Sequence, residues 1–465
     1  MRFVSTRGQA PALGFSDAVL AGLARDGGLY VPEIWPTLDA RTIQGFATAP
    51  YTAIAEAVMT PFLGDELAPG IVGEMIEEAY AGFRHPSVTP LVELGPGLHL
   101  LELFHGPTLA FKDVAMQFLA RLMDRILAQR GQRATIVGAT SGDTGSAAIE
   151  AFRGRENIDI FILHPEGRTS EVQRRQMTTV LDANVHNIAL RGTFDDCQNV
   201  VKALFNDHAF RDEVKLSGVN SINWGRIVAQ IVYYFKAAAE LGAPHRQVDF
   251  AVPTGNFGDI FAGYAARRMG LDIGRLVIAT NANDILARTL ATGRYETDTV
   301  TPTISPSMDI QVSSNFERLL FEATGRDGAT VRSLMASLGQ SGAFTLPPSA
   351  LEAIRGGFAA GRTDEAATAA TIRDVHAEAG YLLDPHSAVG VAQAKALARP
   401  DIPMIALATA HPAKFPAAVK AASGVEPALP LWLADLYGRA ERFEVLDNDA
   451  RGVEAFILDR TRALA

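Results

Sequence analysis

The sequence predicts an α/β protein of largely parallel sheets flanked by helices, preceded by a mainly helical N-terminal domain. Two observations carry that expectation. From residue 94 onward, short β-branched runs (ATIVGAT, IDIFIL, VHNIAL, VDFAVPT, RLVIAT and IPMIALAT) alternate with helix-length segments. Parallel strands joined by crossover helices produce that alternation. Over residues 1 to 93 the apolar patterns are of helix length instead, as in YTAIAEAVMTPFLG and IVGEMIEEAY, separated by Gly/Pro stretches such as DGGLYVPEIWP.

The elements follow in order along the chain. In HGPTLAFKD, residues 105–113, Pro107 closes an extended segment and DVAMQFLARLMDRILAQ begins. Val114, Phe118, Leu122 and Ile126 recur every fourth residue, which predicts a helix burying one face, and Gly131 is placed to end it. Residues 134–152, ATIVGATSGDTGSAAIEAF, predict strand, tight turn and helix; residues 248–270, VDFAVPTGNFGDIFAGYAARRMG, predict the same. GRTDEAATAATIRDVHAEAG predicts a structural amphipathic helix, and IPMIALATAHPAKF, residues 402–415, a last strand ending at Thr409.

A chain of 465 residues with 48% hydrophobic and 20% charged residues suits a multi-domain globular protein. Its net charge of −10 argues against a nucleic-acid or anionic-membrane surface, so an anionic ligand has to be captured locally. The single cysteine, Cys197, excludes an intrachain disulfide and a CxxC metal site, and the ten histidines show neither HxH nor HExxH spacing. No metal is expected. With no apolar leader-like segment and no apolar run approaching ~18 residues, a soluble cytoplasmic protein is expected.

Ligands of open α/β sheets bind beyond the carboxyl ends of the strands. Thr140, Ser141, Gly142, Asp143, Thr144 and Gly145 place hydroxyls and N–H groups at a helix start, an anion site or simply a capped turn. Glycines 138, 142 and 145 approach a dinucleotide pattern, but a carboxylate at Asp143 inside the loop would repel a pyrophosphate. An NAD enzyme of the YxxxK type is also disfavoured, because Tyr233 and Lys236 stand only three apart. Gly255, Asn256, Phe257 and Gly258 present consecutive N–H groups to one phosphate, with Asp259 in the first helical turn; an ordinary βα connection is the alternative. Lys112 lies at a helix N-terminus in an apolar setting, where its ammonium form is disfavoured. It is either a Schiff-base nucleophile or the partner of Asp113 or Asp143.

Taken together, HGPTLAFKD, ATSGDTGSAA, NSINWGRIVAQ, GNFGDIFAGY, SPSMDI and TAHPAKF, with STRG near the start, resemble the threonine synthase family in motif and order. These are pyridoxal-phosphate (PLP) enzymes of fold-type II, the tryptophan synthase β-like group. The resemblance implies that Lys112 forms the Schiff base with pyridoxal 5'-phosphate, that the loop from Gly255 to Asp259 holds its phosphate, and that Thr409 faces its ring nitrogen. Asp143 takes the place of an asparagine that contacts the cofactor's 3′-oxygen in related enzymes. Thr140 and Ser141 would bind the substrate carboxylate, and Thr144, Asn220, Ser221 and Arg226 the phosphate of O-phospho-L-homoserine. For Asn220 and Ser221 the alternative is a helix cap before WGRIVAQIVYYF, and for Arg226 a surface salt bridge. The implied reaction is the conversion of O-phospho-L-homoserine and water to L-threonine and phosphate, the final step of threonine biosynthesis. Residues 136–219 are expected as a small mobile domain, residues 94–135 with 220–465 as the large PLP-binding domain, and the assembly as a monomer or homodimer.

Overall fold

The computed structural model describes residues 1–68, 70–140 and 142–464. The N-terminal region carries the expected helices, Tyr51–Leu63 and Ile71–Tyr80. It also holds a small antiparallel sheet, Leu13–Gly14, Arg2–Ser5 and Tyr30–Pro32 in that order.

Two larger sheets follow. The six-stranded sheet runs Phe358–Arg362, Ile273–Thr280, Val248–Pro253, Met404–Ala408, Leu98–Glu102, Leu91–Gly95. Every neighbouring pair is parallel except the last, where Leu91–Gly95 returns antiparallel to Leu98–Glu102. The five-stranded sheet, Glu444–Asp447, Val185–Arg191, Ile158–Pro165, Ala134–Ala139, Leu216–Ser217, is parallel throughout. Strands such as Ile158–Pro165, buried at all eight positions, need helices on both faces, and the intervening segments supply them.

Two expectations change. The sequence places residues 220–465 whole in the larger unit, yet Glu444–Asp447 extends the smaller sheet, pairing with Val185–Arg191, and the helix Ala450–Leu458 packs on Phe194–Asn206. Val453 and Ile457 from that helix join the core of the smaller sheet with Phe161, Ile188 and Cys197. The strand is four residues long and half polar, too short for period-two alternation to register. The second change concerns the helix Lys112–Arg130, whose residues 112–120 are all buried instead of one face alone. It lies among the helices Ile71–Tyr80, Asp143–Phe152 and Trp224–Glu240, so no side of its first turns meets water. Gly131 ends it as expected, in the left-handed region at φ +60°, where a glycine carries no Cβ penalty.

Candidate active site

Lys112 is the first residue of its helix; it lies beside Asp143, which follows the strand Ala134–Ala139 of the smaller sheet, and the amide of its neighbour Phe111 bonds the carbonyl of Thr409, which follows Met404–Ala408 of the larger one. Its ammonium is 3.5 Å from Asp143 Oδ2 and the residue is 7% exposed. Burial lowers the pKa of Lys112; Asp143 opposes the shift, while Lys414 and Arg226 add to it. Asp113 does not compete for the lysine. It turns back to accept from the Thr108 amide at 2.8 Å and hydroxyl at 2.6 Å, and burial pushes its carboxyl up to about 6.

Asp143 is delivered by the turn after Ala134–Ala139. The Thr140 hydroxyl accepts from the amides of Gly142 and Gly145, both at 2.9 Å, which fixes the turn and starts the helix at Asp143. Gly145 is required there, since a Cβ would stand 2.4 Å from Thr140 Cγ2 and 2.7 Å from Met177 Sδ. Ser141 lies outside the described residues, and Thr144 is half-buried on the first helical turn. The Asp143 carboxylate also meets Lys414 Nζ at 3.0 Å, Gln173 Nε2 at 2.9 Å and Ser307 Oγ at 3.5 Å. Burial alone would raise its pKa, but Lys414 and Lys112 together hold it well below the usual carboxylate range. Asp143 is therefore an anion in this site.

The loop after Val248–Pro253 is tied from behind. The Gly255 carbonyl accepts from Ser313 Oγ at 2.6 Å, and the Asn256 carbonyl from Asn315 N at 3.0 Å and Nδ2 at 2.9 Å. Among the described residues, the amides of Gly255, Asn256 and Phe257 donate to nothing, and Phe257 lies at φ +65° immediately ahead of the helix Gly258–Arg268. A row of unused N–H groups at a helix start fits a phosphate. Gly255 is close-packed, because a Cβ there would meet Ser307 O at 3.0 Å.

The Asp259 carboxylate faces the other way, accepting from the Tyr233 hydroxyl and, at 3.1 Å, from that of Tyr234. Burial raises its pKa from 3.8 to about 6, against those two hydrogen bonds. A carboxyl whose folded pKa lies above its unfolded value costs nothing below pH 3.8 and its full penalty above about 6, so stability falls as pH rises through that window. Asp259→Asn is thus expected to gain about 2–3 kcal/mol on the wild type between pH 4 and pH 8, read as the difference of their urea midpoints across that range.

Thr409 follows the strand Met404–Ala408. Its amide donates to Ser387 Oγ at 3.0 Å and its carbonyl accepts from the Phe111 amide at 2.8 Å, which couples it to the residue before Lys112. Its hydroxyl is free of protein partners among the described residues. Arg226, in the first turn of Trp224–Glu240, is 4% exposed and, among the described residues, donates only to the Val219 carbonyl at 3.2 Å and leaves Nε unpartnered. Burial pulls its pKa down to about 10. It is not a surface salt bridge, and the helix cap is Asn223, whose Oδ1 accepts from Gly225 N at 2.9 Å, not Asn220 or Ser221. Ser221 accepts from Asn315 Nδ2 at 3.3 Å, which puts it beside the Gly255–Gly258 loop, while Asn220 is exposed.

Lys112 thus stands beside Asp143 and within the influence of Lys414 and Arg226, Thr409 is one backbone hydrogen bond from the residue before Lys112, and Asn315 joins Ser221 to the 255–258 loop. Sequence reasoning passed over Lys414, Gln173, Ser307, Asn315 and the buried pair Asp384–His386, whose Nδ1 to Oδ2 distance is 2.8 Å. TAHPAKF contains Lys414, but its role needed a partner from a distant segment to be seen.

A buried lysine opposite a free amide loop, at the strand ends of a mostly parallel sheet, defines the class: residues 83–336 match the family profile "Pyridoxal-phosphate dependent enzyme". Residues 2–80 match "Threonine synthase N terminus" and residues 387–457 "Threonine synthase, C-terminal". The chain belongs to the threonine synthase family. It is 54% identical over 459 residues to a threonine synthase of Pseudomonas aeruginosa, covering 98% of each chain. Among solved structures it superposes on PLP-bound threonine synthase from Brucella melitensis with TM-score 0.98 and 62% identity, covering 99% of this chain and 100% of the other. On yeast threonine synthase the TM-score is 0.94 at 40% identity, covering 99% and 98%. No helix among the described residues is long and apolar enough to cross a membrane.

Proposed function

We propose that this cleft converts O-phospho-L-homoserine and water to L-threonine and phosphate, with pyridoxal phosphate carried on Lys112. Threonine synthase activity and the PLP cofactor accord with the family and with the full-length likeness to its members. The observation that carries the substrate reading is Arg226: a guanidinium 4% exposed with no carboxylate partner among the described residues awaits an anion. Its planar fork can grip a phosphate through two N–H groups.

When bound, PLP supplies an electron sink for bond breaking beside the substrate's amino group. The chain's residues do the rest. The amides of Gly255, Asn256 and Phe257 would take the cofactor's phosphate, and the Thr409 hydroxyl would meet the ring nitrogen as a neutral partner that does not protonate it strongly. Thr140 and Ser141 would receive the substrate carboxylate, with Thr144, Asn220 and Ser221 supporting Arg226 at the phosphate. Lys112, whose pKa burial lowers, can hold and return protons at adjacent carbons. The leaving phosphate departs toward Arg226.

The test is product analysis with the purified, PLP-loaded protein. Phosphate and threonine are expected in equal amounts from O-phospho-L-homoserine. Keto acid and ammonia from L-serine or L-threonine as the main activity would instead mark a dehydratase.

A further inference from the structure

We infer that Lys414 is a positioning residue that keeps Asp143 fixed and anionic while the nitrogen of Lys112 changes its protonation. The inference rests on the reading that Lys112 carries the cofactor. Lys414 is fully buried, and its three ammonium protons face three acceptors: the Thr108 carbonyl at 2.7 Å, Gln176 Oε1 at 3.0 Å and Asp143 Oδ1 at 3.0 Å. The ammonium has no spare donor and no freedom to leave. Its own carbonyl accepts from Ser170 Oγ at 3.3 Å, tying the 412–414 turn to the helix that carries Gln173 and Gln176.

Lys112 must gain and lose a proton during each turnover. Were it the sole counter-charge of a carboxylate only 4% exposed, the two groups would titrate as one coupled pair, and Asp143 would be driven toward protonation whenever Lys112 became neutral. Of the other partners of Asp143, Gln173 and Ser307 are neutral. Among the described residues, the charged and titratable groups around the pair are Lys112 and Asp113 on one helix, Arg226 and Asp259 from two others, His386 with Asp384 from a fourth, and His411 at the start of the turn that carries Lys414. Burial pulls the His411 imidazole down to about 4. Among the described residues, only Lys414 gives the carboxylate a direct ion pair independent of Lys112. An aspartate at the place of the related enzymes' asparagine is thereby held as a permanent anion.

The experiment is a spectrophotometric pH titration of the visible band of PLP-loaded protein in a double-mutant cycle of Lys414→Met and Asp143→Asn. The midpoint reports the proton on the Lys112 nitrogen. Asp143→Asn should lower it by a unit or more, through loss of the counter-ion. Lys414→Met should also lower and broaden it, because the unanchored carboxylate takes up a proton. In the Asp143→Asn background the same Lys414→Met change should raise the midpoint, the sign of plain removal of a nearby positive charge. A rise in both backgrounds, or no shift in the wild-type background, overturns the inference. Absence of any visible band in the loaded wild type would instead sink the cofactor reading beneath it. If Lys414→Met does not accumulate, Lys414→Gln, which retains N–H donors for Thr108 and Asp143 without the charge, carries the same expectations.

Discussion

Lys112→Ala is expected to lower turnover by at least ~10³-fold, since one residue both anchors the cofactor and moves protons. Borohydride reduction followed by peptide mapping should place a pyridoxyl group on Lys112 in the wild type and on no lysine in the variant. The other buried lysines are committed elsewhere. Lys414 is ringed by three acceptors, and Lys236 bonds the Thr89 carbonyl at 3.0 Å and Glu240 at 2.5 Å. Folding should survive the change, because Asp143 keeps Lys414 and Gln173. A pyridoxyl group on a different lysine of the wild type would contradict the assignment of the site.

Arg226→Met should move stability and activity in opposite directions. Without an anion, Arg226 is a desolvated cation with, among the described residues, one hydrogen bond to a carbonyl, and an apolar side chain of similar length removes that cost, raising stability by about 1–2 kcal/mol. With the phosphorylated substrate, losing the partner of a buried anion costs about 3–4 kcal/mol, so kcat/KM should fall ~10²- to 10³-fold. Thermal melts and steady-state kinetics check both. Inorganic phosphate supplies an independent reading: it should raise the melting temperature of the cofactor-loaded wild type and leave that of the variant unmoved. A variant both less stable and fully active would show that Arg226 serves packing alone.

Much of the fold was legible because its central strands are dense in β-branched residues, as in IDIFIL and VDFAVPT. Leu98–Glu102 escaped notice although it lies inside the sheet, since LHLLE favours a helix by composition and only its neighbours on either side make it a strand. Phe358–Arg362 and Glu444–Asp447 are short edge strands with little pattern of their own. Of the candidate site, Asp143, the 255–258 loop and Thr409 could be singled out from the sequence because each follows a strand, and Lys112 because it opens a helix in an apolar setting. The state of Asp143 was not readable. It depends on Lys414, and the contact joins turns from opposite halves of the chain, with no local spacing to announce it.

The order of strands in the larger sheet also has a consequence for synthesis. Met404–Ala408 is a central strand, lying between Val248–Pro253 and Leu98–Glu102. A chain emerging from the ribosome therefore completes five of the six strands with a gap between them, and both sides of that gap are unpaired edges until residue 408 appears. Thr409 and Lys414 follow directly, so the strand that closes the gap brings with it the last two side chains of the cleft. For most of its translation the nascent protein is an open template for pairing with other strands, and the step that ends that exposure is also the one that completes the active site.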